Sequence, residues 1–173
     1  MDNRTAFLAM IGVSEGTSTS PVTRNHGYDV IVGAPEVFTD YSDHPFMHRA
    51  PKVVNAHLSS TASGRYQIML HDWPHYKALL GLPDFSPDSQ DKYALQLIRE
   101  RSALPLIDGG QLAAAVQRCS NLWASFAGAG YGQQERTIEF LRNAYLAAGG
   151  TLYNDHVAVP ASNDDSWGNE ARR

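Results

Sequence analysis

Short runs rich in β-branched and aromatic residues occur in only one stretch of this chain, between Tyr28 and Leu70. Helical spacing of apolar residues governs most of the remainder. Strands that cluster, instead of alternating with helices, argue against a parallel sheet wound through βαβ units and for an α+β architecture. The pattern predicts a first helix over Thr5–Ser14, with Phe7, Leu8 and Ile11 on one face, a cap at Asp2 or Asn3, and Gly16 past its end. Residues 16–25 read as loop. Tyr28–Val32 reads as a strand, Gly33-Ala34-Pro35 as a turn, and Val37–Tyr41 as a strand that pairs back. Ser42–Lys52 reads as loop and Gly64–Leu70 as a third strand. Helices follow. One is capped by Asp72 with Pro74 in its first turn and ends at Gly81. Another opens at Ser86-Pro87 and runs to about Ser102, where Pro105 stops it. The last two are Gln111–Cys119 and Glu135–Ala148, with Gly149-Gly150 beyond. Periodicity fades after about Val157, so residues 1–157 are expected to form one domain and 158–173 a C-terminal extension. A small antiparallel sheet lobe beside a mainly helical lobe leaves a cleft between them, a common place for a ligand.

Composition narrows the functional classes. A chain of 173 residues fits one domain, and 43% hydrophobic with 18% charged residues fits a globular protein. Fourteen Lys and Arg against 18 Asp and Glu give a net charge of -4, with no basic run. This argues against nucleic acid and against an anionic membrane surface as partners. The single cysteine, Cys119, excludes an internal disulfide framework and a multi-cysteine zinc site. The longest candidate signal core, Ala6–Val13, is interrupted by Gly12, and no run approaches the ~20 apolar residues of a membrane-spanning helix.

Glu15 stands at the C-terminal end of the first helix, where the helix dipole disfavours a carboxylate. Burial in a cleft would raise its pKa further, as the general acid of a glycosidase requires. On position alone, a solvated glutamate at a frayed helix end is the commoner outcome. The segment Gly64-Arg65-Tyr66-Gln67 offers close backbone approach and an amide that both donates and accepts, and equally reads as a strand entered through a glycine turn. The segment Ser120-Asn121-Leu122-Trp123-Ala124-Ser125 leads to Gly128-Ala129-Gly130-Tyr131-Gly132-Gln133. Its G-x-G-x-G spacing is not the dinucleotide fingerprint. A loop presenting Tyr131 to a sugar face suits it better, with Trp123 in the core. His44 and His48, and His71 and His75, are four apart without the glutamate of a zinc helix, so no metal and no cofactor is expected. Cys119 falls on an apolar helix face and reads as inert.

Taken together, Ala6-Phe7-Leu8, Ser14-Glu15-Gly16-Thr17, the run Thr23–Gly33, Phe38–Pro45, Gly64–Gln67, Asp84–Pro87, Cys119–Asn121 and Gly128–Gln133 resemble the lambda-type phage lysozymes, the endolysins of lambda-like bacteriophages. The resemblance runs from about residue 4 to 157. It departs at Val13, where the lambda-type pattern has an aromatic, in the Phe46–Ala56 loop, and in the tail from Ala158. It implies a lysozyme-like α+β fold and lytic transglycosylase action on peptidoglycan. It puts the catalytic glutamate at Glu15 and substrate contacts at Gly64, Tyr66, Gln67 and Tyr131.

On that basis, Glu15 is expected to act as acid and then as base, giving a 1,6-anhydro-muramic acid end for host cell lysis. The rival is a hydrolytic muramidase, which needs a second carboxylate at Asp29, Asp40 or Asp43. A non-catalytic glycan-binding module and a zinc amidase are more distant alternatives. The expected partner is the peptidoglycan glycan strand. The chain is expected to act as a monomer, to accumulate in the host cytoplasm and to reach the wall through a holin.

Overall fold

In the computed structural model, which describes residues 2–33, 36–126, 128 and 135–153, the first helix α1 (Asn3–Ser14) is buried on nearly every face. Ala6, Phe7, Leu8, Met10, Ile11, Gly12 and Ser14 are all shielded from solvent. Asp2 caps it by accepting the Thr5 N–H at 2.8 Å. It stops because Gly16 takes a left-handed φ of 73°. Gly12, lacking a side chain, lets the Arg65 guanidinium stem cross α1 closely, since a Cβ there would meet Arg65 Nε at 2.8 Å.

The strand region is thin. Strands β1 (Val30–Ile31) and β2 (Glu36–Val37) pair antiparallel with Val30 opposite Val37. This is the expected first hairpin in shortened form, although Ala34 and Pro35 of its turn lie outside the described residues. Strands β3 (Lys52–Asn55) and β4 (Leu58–Ser60) form a second antiparallel hairpin. The sequence reading ended its loop at Lys52 and assigned no hairpin beyond it. Neither strand buries an apolar face: Val53 is 72% exposed and Leu58 45%. Burial alternates along β3, but Lys52 and Val54 share the half-buried face, so the apolar alternation that signals a strand is absent from the sequence.

Gly64–Leu70 is corrected from strand to turn. Gly64 and Gln67 both have positive φ, 74° and 51°, which no extended run accommodates. Ser63 and Ile68 exchange both backbone bonds, at 3.0 and 2.8 Å, and so close a tight loop over residues 64–67. The Gly64 N–H reaches the Val30 carbonyl at 2.8 Å and ties this loop to β1.

The helical lobe follows: α2 (Trp73–Leu80), α3 (Pro87–Glu100), α4 (Leu104–Asp108), α5 (Leu112–Arg118) and α6 (Ile138–Ala147). Helix α2 ends at Gly81 in the left-handed region, and Ser86-Pro87 opens α3. Pro105, expected to stop α3, does not: α3 ends at Glu100, beyond which Ser102 turns left-handed (φ 55°) and the Ala103 N–H reaches back to the Ile98 carbonyl at 3.1 Å. Pro105 instead lies in the first turn of α4, where its missing N–H costs nothing. Thr137 caps α6 by accepting from the Phe140 N–H at 3.1 Å.

A single apolar cluster unites the helices with the strand region. Phe85 is its junction, in edge or tilted contact with His44, Trp73 and Phe38. Helix α1 packs on α4 and α6. Its open end is clasped by Arg4, which bonds both oxygens of Asp108 at 2.7 and 2.6 Å. Asn3 Oδ1 accepts from the Thr151 N–H at 2.9 Å and its hydroxyl at 3.0 Å. The architecture is α+β, six helices and two small antiparallel sheets among the described residues, with a cleft where α1 ends.

Candidate active site

Helix α1 delivers Glu15 to a cleft of about 500 Å³. Val32, Leu58 and Ala62 line it from the strand region, and Leu122, Trp123 and Ala124 from the segment after α5. Tyr66 and Gln67 of the 64–67 turn stand between. A second concavity of about 250 Å³ adjoins it across Tyr66, Gln67 and Trp123, and adds Asp72, Arg101 and Asn121.

Glu15 is the carboxylate that lines this cleft among the described residues. Burial pushes its carboxyl above the ordinary carboxylate value. The hydroxyl and backbone N–H of Ser125 and the charge of Arg136 pull in the opposite direction without overcoming it. Ser125 Oγ donates to Glu15 Oε1 at 2.5 Å and lies 2.7 Å from Ser14 Oγ. The acid is therefore retained by desolvation, with an oriented hydroxyl on one oxygen.

The 64–67 turn is held from behind by Gln90, which is fully buried. Its Nε2 donates to the Tyr28 and Phe85 carbonyls at 3.0 and 2.9 Å, and its Oε1 accepts from the Arg65 N–H at 3.0 Å. A Cβ on Gly64 would collide with this amide. Gly64 therefore shapes the turn and does not itself line the cleft. Tyr66 is 3% exposed; its hydroxyl and that of Tyr28 both donate to Asp91 Oδ1, at 2.6 and 2.7 Å. Gln67 Nε2 donates to the Gly64 carbonyl at 3.1 Å. Trp123 serves wall and core together: it is 3% exposed, and its indole N–H donates to the Tyr66 carbonyl at 3.2 Å.

The three aspartates stand elsewhere. Asp29 is buried and accepts from Thr23 Oγ1 at 2.5 Å and from the Arg24 N–H at 2.8 Å, which organises the loop before β1. Asp40 and Asp43 border a separate concavity of about 400 Å³. Asp40 accepts from the Ser42 N–H at 2.8 Å in a turn, and the Ser42 hydroxyl together with that N–H holds its carboxyl below the ordinary range. Burial raises Asp43, but bonds from Lys77 at 2.7 Å, Trp73 at 2.6 Å and the His44 N–H outweigh it and leave it lowered. Cys119 is fully buried and its thiol is pushed up to about 12, so it has no thiolate to offer.

A model of the Endolysin family matches residues 5–152. The chain belongs to the Endolysin family. The endolysin of Escherichia phage P2 is 57% identical over 154 residues, covering 86% of this chain and 93% of that protein. The endolysin of Escherichia phage lambda is 54% identical over 152 residues, covering 87% and 94%. Among solved structures, bacteriophage lambda lysozyme complexed with a chitohexasaccharide superposes with a TM-score of 0.82 at 54% identity. That match covers 88% of this chain and 97% of the other. A further structure of lysozyme from bacteriophage lambda gives a TM-score of 0.78 at 52% identity.

In this endolysin Glu15, Tyr66 and Gln67 meet in one cleft, and Gly64 supports it from the turn. Tyr131, with Gly130 and Gly132, lies outside the described residues. Ser14 and Ser125 fall in segments noted from the sequence but were given no role there, and Arg136 was not singled out. Ser125 is 110 positions from Glu15, and no periodicity or motif connects residues so far apart.

Proposed function

We propose that this endolysin cuts the β-1,4 bond between N-acetylmuramic acid and N-acetylglucosamine by lytic transglycosylation, with Glu15 alone carrying the protons. Action on peptidoglycan is the coarser statement and goes with the family and with the likeness to phage lysozymes. The observation that carries this reading is that Glu15 is the one carboxylate on the lining of its cleft among the described residues, with its carboxyl pushed above the ordinary value by desolvation. Asp72 lines the adjoining concavity, where His71 lies against it at 3.1 Å. A hydrolase would need a partner roughly 5–5.5 Å away for retention, or 6.5–9.5 Å for inversion.

The chemistry runs in two half-steps. Glu15 gives its proton to the glycosidic oxygen as the bond from muramic acid C1 breaks, and the substrate's acetamido group relieves the positive charge at C1. Glu15, now a carboxylate, takes the proton of the C6 hydroxyl as that oxygen bonds C1. The product is a 1,6-anhydro ring, and no water is consumed. One group serves as acid and then base, so its pKa is best placed near the working pH. Gln67, Tyr66 and the turn shaped by Gly64 are proposed to seat the sugar, with Tyr131 assigned on resemblance. The chitohexasaccharide bound by phage lambda lysozyme supports a glycan in the equivalent groove here. We take residues 1–157 as the catalytic unit and 158–173 as an extension. The protein is proposed to work as a monomer and to reach the wall through a holin.

Mass spectrometry of fragments released from purified peptidoglycan tests this reading. Glycan ends lighter by one water and resistant to borohydride support transglycosylation. Reducible ends mean hydrolysis. Intact glycan strands with freed peptides mean an amidase.

A further inference from the structure

Behind Glu15 lies a relay whose parts come from opposite ends of the sequence. Ser125 Oγ is 2.5 Å from Glu15 Oε1 and 2.7 Å from Ser14 Oγ. A hydroxyl has one proton to donate. Ser125 gives it to Glu15, so Ser14 must be the donor in the second contact. Ser14 is 2% exposed and belongs to α1, the most deeply buried helix. Ser125 is pinned through its carbonyl, which accepts from the Arg136 N–H at 2.8 Å. The following residue, Phe126, bonds back to the Trp123 carbonyl at 3.0 Å and meets Phe7 of α1 edge-on at 6.2 Å. The backbone that carries each hydroxyl is thus anchored to the core.

We infer that Ser125, backed by Ser14, is a positioning residue of the reaction: its hydroxyl holds one carboxyl oxygen of Glu15 and confines the transferred proton to the other. This rests on the reading of Glu15 as proton carrier. The carbonyl oxygen of a carboxylic acid and either oxygen of a carboxylate both accept hydrogen bonds. Ser125 therefore donates to Oε1 throughout the cycle. The proton on Oε2 passes to the glycosidic oxygen as the C1–O bond breaks and leaves on that sugar's hydroxyl. A second proton, from the C6 hydroxyl, is taken up on Oε2 as the new C1–O bond forms. The serine proton never transfers. Arg136 is the charged group that acts on Glu15 among the described residues, and it favours the carboxylate as Ser125 does. The two ease the base half-step, and burial eases the acid half-step.

The test compares the full-length protein with Ser125→Ala, Ser14→Ala, Ser125→Thr and Glu15→Gln. Turnover of purified peptidoglycan is followed across pH, with product ends and thermal unfolding recorded for each. Ser125→Ala is expected to lower kcat about 10- to 100-fold, the range of a lost bond to a charged group. KM and product ends should stay as they are. The alkaline limb of the profile should move to higher pH, because the removed bond favoured the carboxylate. Ser125→Thr should recover most of the rate, and Ser14→Ala should show a smaller change in the same direction. A Ser125→Ala protein with unchanged kcat and pH profile overturns the inference while leaving Glu15 in its role. So does a loss that merely follows unfolding, with unmoved limbs and no recovery in Ser125→Thr. If Glu15→Gln retains activity, the reading of Glu15 fails first, whatever Ser125 does.

Discussion

Residue by residue, the site turns on how little water reaches Glu15. Its folded-state pKa lies above the ordinary 4.5, chiefly through burial. The sign follows from linkage: the fold prefers the neutral acid. That contribution to stability is complete below the unfolded value and is lost as pH rises through the folded one. Activity that needs the protonated acid fades over the same alkaline interval. Glu15→Gln should therefore reduce kcat by roughly 100- to 10,000-fold, the worth of a positioned general acid. It should leave the urea midpoint at neutral pH equal or higher, because an ionisable group has been removed from a dry cleft. Parallel turnover and urea titrations would check both halves. Asp29→Asn should behave in the opposite way. It weakens the bonds from Thr23 and Arg24 and should lower stability by about 1–3 kcal/mol, while the folded fraction keeps its specific activity. A collapse of activity in stable Asp29→Asn protein would revive the two-carboxylate mechanism. Glu15 stood out through the resemblance, since its place at a helix end by itself favoured a solvated surface group; the structure puts it on the lining of a cleft. Ser125 did not stand out, because its role exists only once the chain has brought residue 125 against residue 15.

Among the elements, the 64–67 turn is the most exacting. Gly64→Ala would put a methyl group into the Gln90 amide at a positive φ. Either effect alone is costly, and together they should remove roughly 2 kcal/mol or more of stability. Because Tyr66 and Gln67 stand on this turn, KM for peptidoglycan should rise as well. Differential scanning calorimetry with steady-state kinetics would show whether the two losses travel together. The turn was misread as a strand for a physical reason. Tyr66, Ile68 and Leu70 have the composition of a strand, and nothing in composition reveals that Gln67 adopts a left-handed φ. The β3–β4 hairpin escaped because its half-buried face is made of Lys52, Val54 and Ser60 while Val53 and Leu58 are exposed, so no apolar rhythm marks it. Helices α1, α2, α3 and α6 were legible through their caps: Asp2, Pro74, Ser86-Pro87 and the glycines at 16, 81 and 149. The five-residue α4 was hidden behind Pro105, which reads as the end of one helix and serves as the beginning of the next.

For the molecule as a whole, the join between strand region and helical lobe carries a pH sensitivity of its own. His44 is 2% exposed, stacks edge-on to Phe85 at 4.8 Å, and lies with Nε2 3.0 Å from the Ile68 carbonyl. Its Nδ1 accepts from the Phe46 N–H at 3.3 Å, which assigns the neutral Nε2–H form. Burial holds its pKa below 6.5, against the pull of the Ile68 carbonyl and Asp43. A depressed histidine contributes stability that is present above 6.5 and lost as pH falls towards its folded value. The urea midpoint should drop between pH 7 and 5, and His44→Gln should be weaker at pH 7 yet show a flatter slope across that interval. A protein truncated after residue 157 should keep the wild-type melting temperature and turnover within about twofold, since the family match closes at residue 152. The clasp between Asn3 and Thr151, and that between Arg4 and Asp108, finally bear on timing. The helix that ends on Glu15 precedes in the sequence every surface that encloses it: α4, the Trp123–Ser125 wall and α6 all follow. A growing chain therefore carries the carboxyl with no cleft around it until α6 has been made and docked.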